Sequence, residues 1–184
     1  MNTANVTTGK RRISGGIYRA PAGTTLPTDA STSLASAFKN TGYISEDGYT
    51  NTLSKSVNEI KEWGGETVDS ELTEQKEEFK FKMISSLNVD ARKAVYGDSN
   101  VTESTGAITT VVKAGLYGEG VWVIDEILKG GRLMRTVIPN GKITALGDIV
   151  HKGTEAIGYD VTLTALYDAT LGGTSKQYIS AGTT

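Results

Sequence analysis

Polar and apolar side chains alternate strictly over residues 78–83 of the chain. This period of two is typical of a β-strand with one buried face, because successive side chains of a strand point to opposite sides of the sheet. It predicts that Phe79, Phe81 and Met83 face a hydrophobic core. A helix would scatter these three residues around its surface, so this segment favours a fold that contains a sheet.

Similar patterns predict strands along most of the chain. Six alternating positions from Ile157 to Tyr167 predict one of the longest strands. The sequence contains 22 glycines and three prolines, which favours many tight turns between strands. The other predicted strands cover residues 17–20, 43–44, 50–61, 67–73, 108–113, 121–128, 132–138, 141–150 and 177–180. We therefore predict a mainly β fold, an antiparallel β-sandwich or a partly closed barrel.

One short helix is predicted at about residues 88–96. Asn88 suits the N-cap position, Asp90 suits the positive end of the helix, and Gly97 suits the left-handed residue that ends many helices. The apolar residues recur at spacings of three and four and form one stripe: Leu87, Ala91, Ala94 and Val95. A helix of this length is marginal by itself, so we expect it to pack on the sheet.

The 184 residues are predicted to form one domain between two extended arms. Residues 1–15 are polar and basic, so we interpret them as a flexible N-terminal arm. Residues 16–184 form the single domain, and residues 170–184 are its C-terminal arm. The net charge of −2 is unevenly distributed, because residues 66–78 contain six acidic residues and one lysine.

The sequence offers no arrangement of residues that is typical of catalysis. The absence of cysteine excludes disulfides, thiolate metal sites and a cysteine nucleophile. His151 is the only histidine, and no nucleophile or orienting carboxylate can be assigned to it. The glycine-rich residues 115–120 have the wrong order for a dinucleotide-binding loop. We therefore expect no catalytic, cofactor-binding or metal-binding residues, no cofactor and no enzyme activity.

The sequence also gives no sign of membrane insertion or export. Its longest strictly apolar run, residues 121–124, is far shorter than the about 20 residues of a membrane helix. The basic residues near the start are not followed by the apolar stretch of a signal peptide. We expect a protein that stays in the cytoplasm of the cell that makes it until it is assembled.

Several short motifs occur in an order that indicates a family. Residues 20–30 read APAGTTLPTDA, and residues 38–48 read FKNTGYISEDG. Trp63-Gly64-Gly65, residues 95–98 and residues 138–141 continue the series. From about Ile17 to Tyr178, the chain resembles the major tail protein, or tail tube protein, of long-tailed bacteriophages, in the type seen in phages of Gram-positive bacteria.

The resemblance implies a structural virion protein of the phage tail. Proteins of this family are β-sandwiches flanked by a helix, and they assemble into hexameric rings that stack into a tube. The tube surrounds a tape-measure protein and later conducts double-stranded DNA without binding it specifically. Tail-tip or distal tail proteins and a tail-terminator protein are the other implied partners.

The resemblance also suggests which residues contact neighbouring subunits. The loop and hairpin at about residues 42–65 would reach the adjacent ring, and the terminal arms would add to stacking. The candidate contact residues are Tyr43, Ile44, Glu46, Asp47, Trp63, Lys10, Arg11 and Arg12. Core packing explains Tyr43 and Ile44 equally well, and the three basic residues fit a solvated tail equally well.

The acidic segment suggests a lining for the DNA channel. A basic wall would hold DNA by releasing its counterions, so a conduit should be acidic or neutral. We predict Glu71, Glu74 and Glu77 as lumen-lining residues. A solvated hairpin remains the alternative explanation of these acidic residues.

Two other functions remain open at this point. Eight tyrosines and two tryptophans would suit a monomeric β-sandwich module for adhesion or sugar binding. A ring-forming head–tail connector or tail terminator would share the assembly features but form one layer. Binding to glycans separates the module from the others, and the length of the polymer separates the connector from the tube.

Overall fold

A computed structural model describes residues 6–12 and 16–181, and their fold is mainly β with one short α-helix, as predicted. The helix α1 is Val89–Tyr96, and a 3-10 turn at Asp98–Asn100 follows it. The strands are β1 (Gly9–Arg11), β2 (Ile17–Ala20), β3 (Lys39–Asn40), β4 (Ile44–Lys61), β5 (Thr67–Met83), β6 (Val101–Ser104), β7 (Ala107–Thr110), β8 (Tyr117–Leu128), β9 (Leu133–Leu146), β10 (Tyr159–Ala165) and β11 (Lys176–Ile179).

Nine of these strands form one antiparallel sheet, and its order is β3-β2-β8-β9-β10-β5-β4. β1 lies beside β8 next to β2, and β11 lies beside β9 next to β10. β6 and β7 form a separate two-stranded sheet. The large sheet does not close on itself within the described residues, because β3 and β4 are its end strands. The antiparallel β architecture is therefore confirmed, with an open rather than a closed sheet.

The core lies between the curved sheet and α1. Phe79, Phe81 and Met83 are buried, as their alternation predicted. The ring centroids of Phe81 and Trp122 are 6.1 Å apart, and the indole nitrogen of Trp122 donates to the carbonyl of Gly118 at 2.7 Å. Burying an aromatic side chain of this size contributes a few kcal/mol, about 2 or 3 by apolar area. This packing fixes the central strands on which the rest of the chain is placed.

The helix begins and ends at the residues that the sequence indicated. The side chain of Asn88 accepts a hydrogen bond from the amide of Ala91 at 2.9 Å, and Gly97 has a φ of 96°. Ala91, Ala94 and Val95 are buried against the sheet. Leu87 is exposed, so its predicted place in the apolar stripe is wrong. It precedes the N-cap, where the chain does not follow the helical period.

The break predicted between the strands at residues 132–138 and 141–150 is also wrong, because β9 continues through this region. Gly141 serves another purpose. A Cβ atom at this position would lie 2.6 Å from Cδ1 of Trp122. The glycine thus permits close packing of two strands against the indole rather than a change of chain direction.

The strand predicted around residues 157–167 is shorter than expected. β10 ends at Ala165, and Tyr167 is exposed. The chain turns at Asp168, whose amide donates to the carbonyl of Gly173 at 2.9 Å. The predicted alternation therefore holds only for the part of the segment that has a sheet partner on each side.

Parts of the two predicted arms lie against the sheet. Gly9–Arg11 forms β1, and Lys176–Ile179 forms β11. Residues 1–5, 13–15 and 182–184, which also belong to the predicted arms, lie outside the described residues. The flexibility of the N-terminal arm and the division of the chain at residue 16 remain predictions.

Candidate functional site

The hairpin of β4 and β5 extends beyond the rest of the sheet. The pairing of β10 with β5 ends at Glu77, whereas β4 and β5 stay paired as far as Lys61 and Thr67. Every residue from 50 to 76 is exposed. At about 3.3 Å per residue, the part beyond Glu77 is about 30 Å long. A two-stranded ribbon is marginal in water, so such a hairpin favours contact with a partner.

The tip of this hairpin is a tight turn with an exposed tryptophan. The amide of Gly65 donates to the carbonyl of Glu62 at 2.9 Å, and Gly65 has a φ of 92°. This turn joins the two strands that the sequence predicted at residues 50–61 and 67–73. Trp63 is fully exposed, with no part of its surface covered by the subunit. A large aromatic side chain in this position is typical of an interface anchor.

A β-bulge places Glu71 and Glu74 on one face of the hairpin. The two residues are paired with Asn58 and Ser56, which are two positions apart in β4 and therefore share a face. Three residues separate the glutamates because Thr73 is the extra residue of the bulge. Both glutamates are exposed. The register thus forms an acidic face that the spacing alone does not reveal.

The opposite face of the hairpin carries apolar residues. Leu53 pairs with Glu77, and Val57 pairs with Leu72, on the side that continues from Phe79 of the core. Leu53, Val57 and Leu72 are all more than half exposed, at 51%, 57% and 56%. The hairpin is therefore amphipathic: its acidic face carries Glu71 and Glu74, and its apolar face carries these three residues together with Lys55, which pairs with Gln75.

Glu77 differs from its prediction as a lumen-lining residue. It is only 7% exposed, and its carboxylate accepts hydrogen bonds from Asn51 and Ser175, both at 3.0 Å, and from Thr174 at 2.5 Å. It lies on the apolar side of the hairpin, opposite Glu71 and Glu74. Glu77 therefore connects the base of the hairpin to the C-terminal segment within the subunit, and its predicted place in the channel lining stays a prediction.

A groove of about 450 Å³ lies at the other end of β4, between that strand and β1. Lys10 and Arg11 line its basic side, and Glu46 and Asp47 line its acidic side. The guanidinium of Arg11 lies over the ring of Tyr43, 4.9 Å from its centroid. The structure thus brings together six residues that the sequence predicted as contacts: Lys10, Arg11, Tyr43, Ile44, Glu46 and Asp47.

The pairing of β4 with β5 is interrupted beside this groove. Ile44 pairs with Met83 and Tyr49 with Phe81, and residues 45–48 between them have no cross-strand partner. Gly48 has a φ of 71°, which an L side chain rarely adopts. The interruption turns Glu46 and Asp47 outward at the rim of the groove.

Sequence reasoning missed the residues on the floor of the groove. The hydroxyl of Tyr49 donates to Glu126 at 2.8 Å, and burial together with this bond raises the pKa of Tyr49 above its ordinary value. Glu126 belongs to β8, far from Tyr49 in the sequence, so no local pattern indicates the contact. The bond joins Tyr49 of β4 to Glu126 of β8 across the floor of the groove.

Arg12 and Trp63 are not part of the groove. The guanidinium of Arg12 binds Asp125 at 3.3 Å and the carbonyl of Ala30 at 3.4 Å. Asp125 thus compensates the charge of Arg12 within the subunit, whereas the prediction placed Arg12 at an interface. Trp63 lies at the opposite end of β4, at the hairpin tip.

Among residues 6–12 and 16–181, no three side chains of the metal-binding types are grouped together. His151 is exposed in the segment between β9 and β10. None of the helices in the described part of the chain has the length and hydrophobicity that crossing a membrane requires.

A family model described as "Phage tail tube protein" matches residues 2–182, nearly the entire chain. A search of curated proteins found none that matches the chain.

Proposed function

Because the chain belongs to the phage tail tube protein family, we propose that it assembles into stacked hexameric rings that form the conduit for DNA ejection. The family identifies a structural protein of the virion tail that self-assembles into a tube with other tail proteins. The tube would enclose a tape-measure protein, begin at the tail-tip or distal tail proteins and end at the tail terminator. The proposed role is structural, and it requires no enzyme activity.

The exposed hairpin is the single observation that carries this proposal. Leu53, Val57 and Leu72 form an apolar face that the subunit leaves uncovered. A monomer gains nothing from the exposed half of these three side chains, and covering that half would contribute about 1 kcal/mol for each residue. Neighbouring copies that cover this face would recover that free energy, which supports assembly.

The two faces of the hairpin suggest its orientation in the tube. Its apolar face would pack on protein within the ring, which turns the face with Glu71 and Glu74 toward the channel. Acidic residues repel the phosphates of passing DNA, whereas lysines there would retain it through counterion release. The orientation therefore explains why both kinds of surface occur on one ribbon.

The open sheet supplies edges for closing a ring. Among the strands that the structure describes, β4 pairs only with β5, which leaves its outer edge free along the hairpin. The short β3 is the strand at the other end of the sheet. Contact between different edges of neighbouring copies is heterologous and closes into a ring when the rotation fits. Six subunits per ring is the number taken from the family that the chain resembles.

Electron microscopy of the purified chain tests the proposal. We expect negatively stained samples to contain rings or tubes with a central channel after concentration. In a variant with Leu53→Ser, Val57→Ser and Leu72→Ser we expect dispersed monomers. A control with Ser54→Ala, Ser56→Ala and Asn58→Ala changes the opposite face and should still assemble. A wild-type chain that stays monomeric, even with isolated tail-tip complexes as nuclei, would contradict the proposal.

A further inference from the structure

We propose that Glu77 and the C-terminal segment at residues 174–179 form a latch, which holds the β4–β5 hairpin at a fixed angle to the sheet. While the segment lies in place, the hairpin points in one direction. When the segment lifts, the hairpin is free to swing about its base. The latch belongs to the single subunit, so it does not depend on the assembly of rings or tubes.

The hairpin leaves the sheet at Glu77. This residue is the last of β5 that pairs with β10, and its partner Ala165 is the last residue of that strand. Beyond Glu77, β5 pairs with β4 alone among the described strands. The hydrogen-bond ladder to the sheet therefore stops where the two-stranded ribbon begins, so other contacts must set the direction of the ribbon.

The side chain of Glu77 supplies such contacts. Its carboxyl group accepts hydrogen bonds from Asn51 of β4 at 3.0 Å, from Thr174 at 2.5 Å and from Ser175 at 3.0 Å. Asn51 belongs to the base of the hairpin, whereas Thr174 and Ser175 precede β11. One side chain thus ties both strands of the hairpin to the C-terminal segment.

The burial of Glu77 depends on the C-terminal segment. Glu77 takes part in no ion pair within the described residues, so neutral donors alone compensate its carboxyl group there. A buried carboxylate is tolerated where hydrogen bonds replace the water that it loses. Without Thr174 and Ser175, Glu77 would keep only its bond with Asn51 and would turn toward water. Lifting of the segment and release of the hairpin are therefore coupled.

The C-terminal segment is the part of the latch that opens most readily. A turn closed by Asp168 and Gly173 brings Thr174 to Glu77. β11 then pairs with β9 alone among the described strands, over four residues of which three are exposed. Short exposed strands of this kind open locally at a lower free energy than the core. The segment can therefore lift while the sheet stays folded.

A small change of angle at Glu77 is enlarged at the tip of the hairpin. The hairpin extends about 30 Å beyond this residue, so a swing of about 10° would move the tip by about 5 Å. Apolar side chains are in contact only within about 4.5 Å, so a shift of this size separates packed surfaces. The latch thus determines where the apolar face of the hairpin lies.

Spin labels measure the angle directly, because the natural chain contains no cysteine to compete for the label. Ser70→Cys on the hairpin and Asp160→Cys on β10 are exposed positions that lie about 40 Å apart along the strands. In dilute monomers we expect one narrow distribution of distances between the two labels. Glu77→Ala, and separately Thr174→Val with Ser175→Ala, should at least double its width.

Hydrogen exchange measures the coupling. Glu77→Ala should speed the exchange of the β11 amides about tenfold, although none of the hydrogen bonds described for Glu77 goes to β11. Adding Thr174→Val and Ser175→Ala to this variant should have little further effect, because both changes remove the same contact. Thr144→Val, which removes a hydroxyl that bonds to Thr164 between β9 and β10, is the matched control and should change neither exchange nor distances.

A narrow distribution of distances in both latch variants would overturn the latch, and so would a broad one in the chain with natural residues at 77, 174 and 175. Additive effects of the two variants would overturn the coupling. A lower thermal midpoint with unchanged distances and exchange would assign Glu77 to stability alone. Circular dichroism verifies folding, and if Glu77→Ala does not fold, the variant with Thr174→Val and Ser175→Ala decides.

Discussion

Arg135 and Asp125 form a buried bidentate ion pair, with hydrogen bonds of 2.7 Å and 2.9 Å between guanidinium and carboxylate. The remaining guanidinium nitrogen of Arg135 donates to the carbonyls of Asp29 and Thr32. The pair therefore attaches the long segment between β2 and β3 to the centre of the sheet. Both side chains are almost completely buried, and Asp125 supplies the counter-charge of Arg135 while also accepting a hydrogen bond from Arg12.

Removing one partner of this pair should destabilise the subunit strongly. Asp125→Ala leaves a buried guanidinium without its counter-charge, and we expect a loss of about 3 to 5 kcal/mol in the free energy of unfolding. Urea denaturation measures this loss. Glu119→Ala, which breaks the more exposed pair with Lys142, is the control and should cost less than about 1 kcal/mol. Similar losses in the two variants would contradict the structural role of the buried pair.

Gly141→Ala should destabilise the subunit because its new methyl group would collide with Trp122. A Cβ atom at this position would lie 2.6 Å from Cδ1 of Trp122 and 3.1 Å from Cδ1 of Leu163. Overpacking of this kind costs about 1 to 3 kcal/mol, which a shift in thermal midpoint would reveal. Gly153→Ala, where no atom lies within 4 Å of the new Cβ, should leave the midpoint nearly unchanged. Equal thermal midpoints in both variants would contradict the tight contact between Gly141 and Trp122.

Trp63→Ala should leave the subunit folded and prevent stacking of rings. The side chain is fully exposed, so its removal should hardly change the free energy of unfolding of the monomer. Truncating an aromatic side chain at the centre of an interface typically weakens binding by about 2 kcal/mol or more. Electron microscopy and thermal unfolding together measure the two effects. Leu87→Ala removes another exposed apolar side chain and should stack normally. Normal tubes from the Trp63 variant would contradict the assignment of this residue to the interface between rings.

Glu71→Lys combined with Glu74→Lys should allow tubes to form and impair the passage of DNA. The two substitutions change the acidic face by four charges per subunit, and a basic channel wall holds DNA in a salt-dependent manner. The measurement is genome delivery by phage that carry the variant, at low and high salt. Glu103→Lys with Glu155→Lys introduces the same charges elsewhere on the exposed surface. Equal genome delivery by wild-type phage and both variants would contradict the placement of Glu71 and Glu74 at the channel.

Acid should weaken the contact between Asp98 and Arg19. Two hydrogen bonds from the guanidinium of Arg19 hold the pKa of Asp98 below its ordinary value of 3.8, against the opposing effect of partial burial. The folded state therefore binds this proton less readily than the unfolded state. The stabilisation is complete above about pH 4 and is lost as the pH falls through the lowered pKa.

The variant Asp98→Asn tests this dependence, because an amide does not titrate in this range. The difference in thermal midpoint between wild type and variant should be largest above about pH 4 and should shrink in more acidic buffer. NMR titration of Asp98 in an Arg19→Met variant should show the pKa returning toward 3.8. A difference in midpoint that stays constant on acidification would contradict the assignment.

Local patterns predicted those parts of the fold that local forces determine. The alternation around Phe79, the cap at Asn88 and the turn at Gly65 each depend on residues that are close in the sequence. Gly141 was misinterpreted because its constraint comes from Trp122 on the neighbouring strand. Glycine fits a turn and a tight strand contact equally well, so only the tertiary packing distinguishes the two.

Local motifs in the sequence suggested the individual candidate contact residues, but not how these residues are arranged in the structure. The motif at residues 42–48 and the basic arm each indicated contact residues, and the sequence did not show that Arg11 lies over Tyr43. The three glutamates that were predicted at spacings of three do not share one face of the hairpin. The bulge at Thr73 unites Glu71 and Glu74, while strand alternation carries Glu77 to the buried side.

The free outer edge of β4 also has a consequence for subunits that have not yet assembled. A newly made chain presents an unpaired strand and exposed leucine and valine side chains, which is the combination that invites irregular aggregation. Lys55 and Lys61 lie on this strand, and charges on an open edge oppose uncontrolled pairing. Under the proposed function, the same strand would have to contact neighbouring subunits in the tail and avoid uncontrolled pairing before assembly. Substituting these lysines with apolar residues would favour irregular aggregation over ordered assembly.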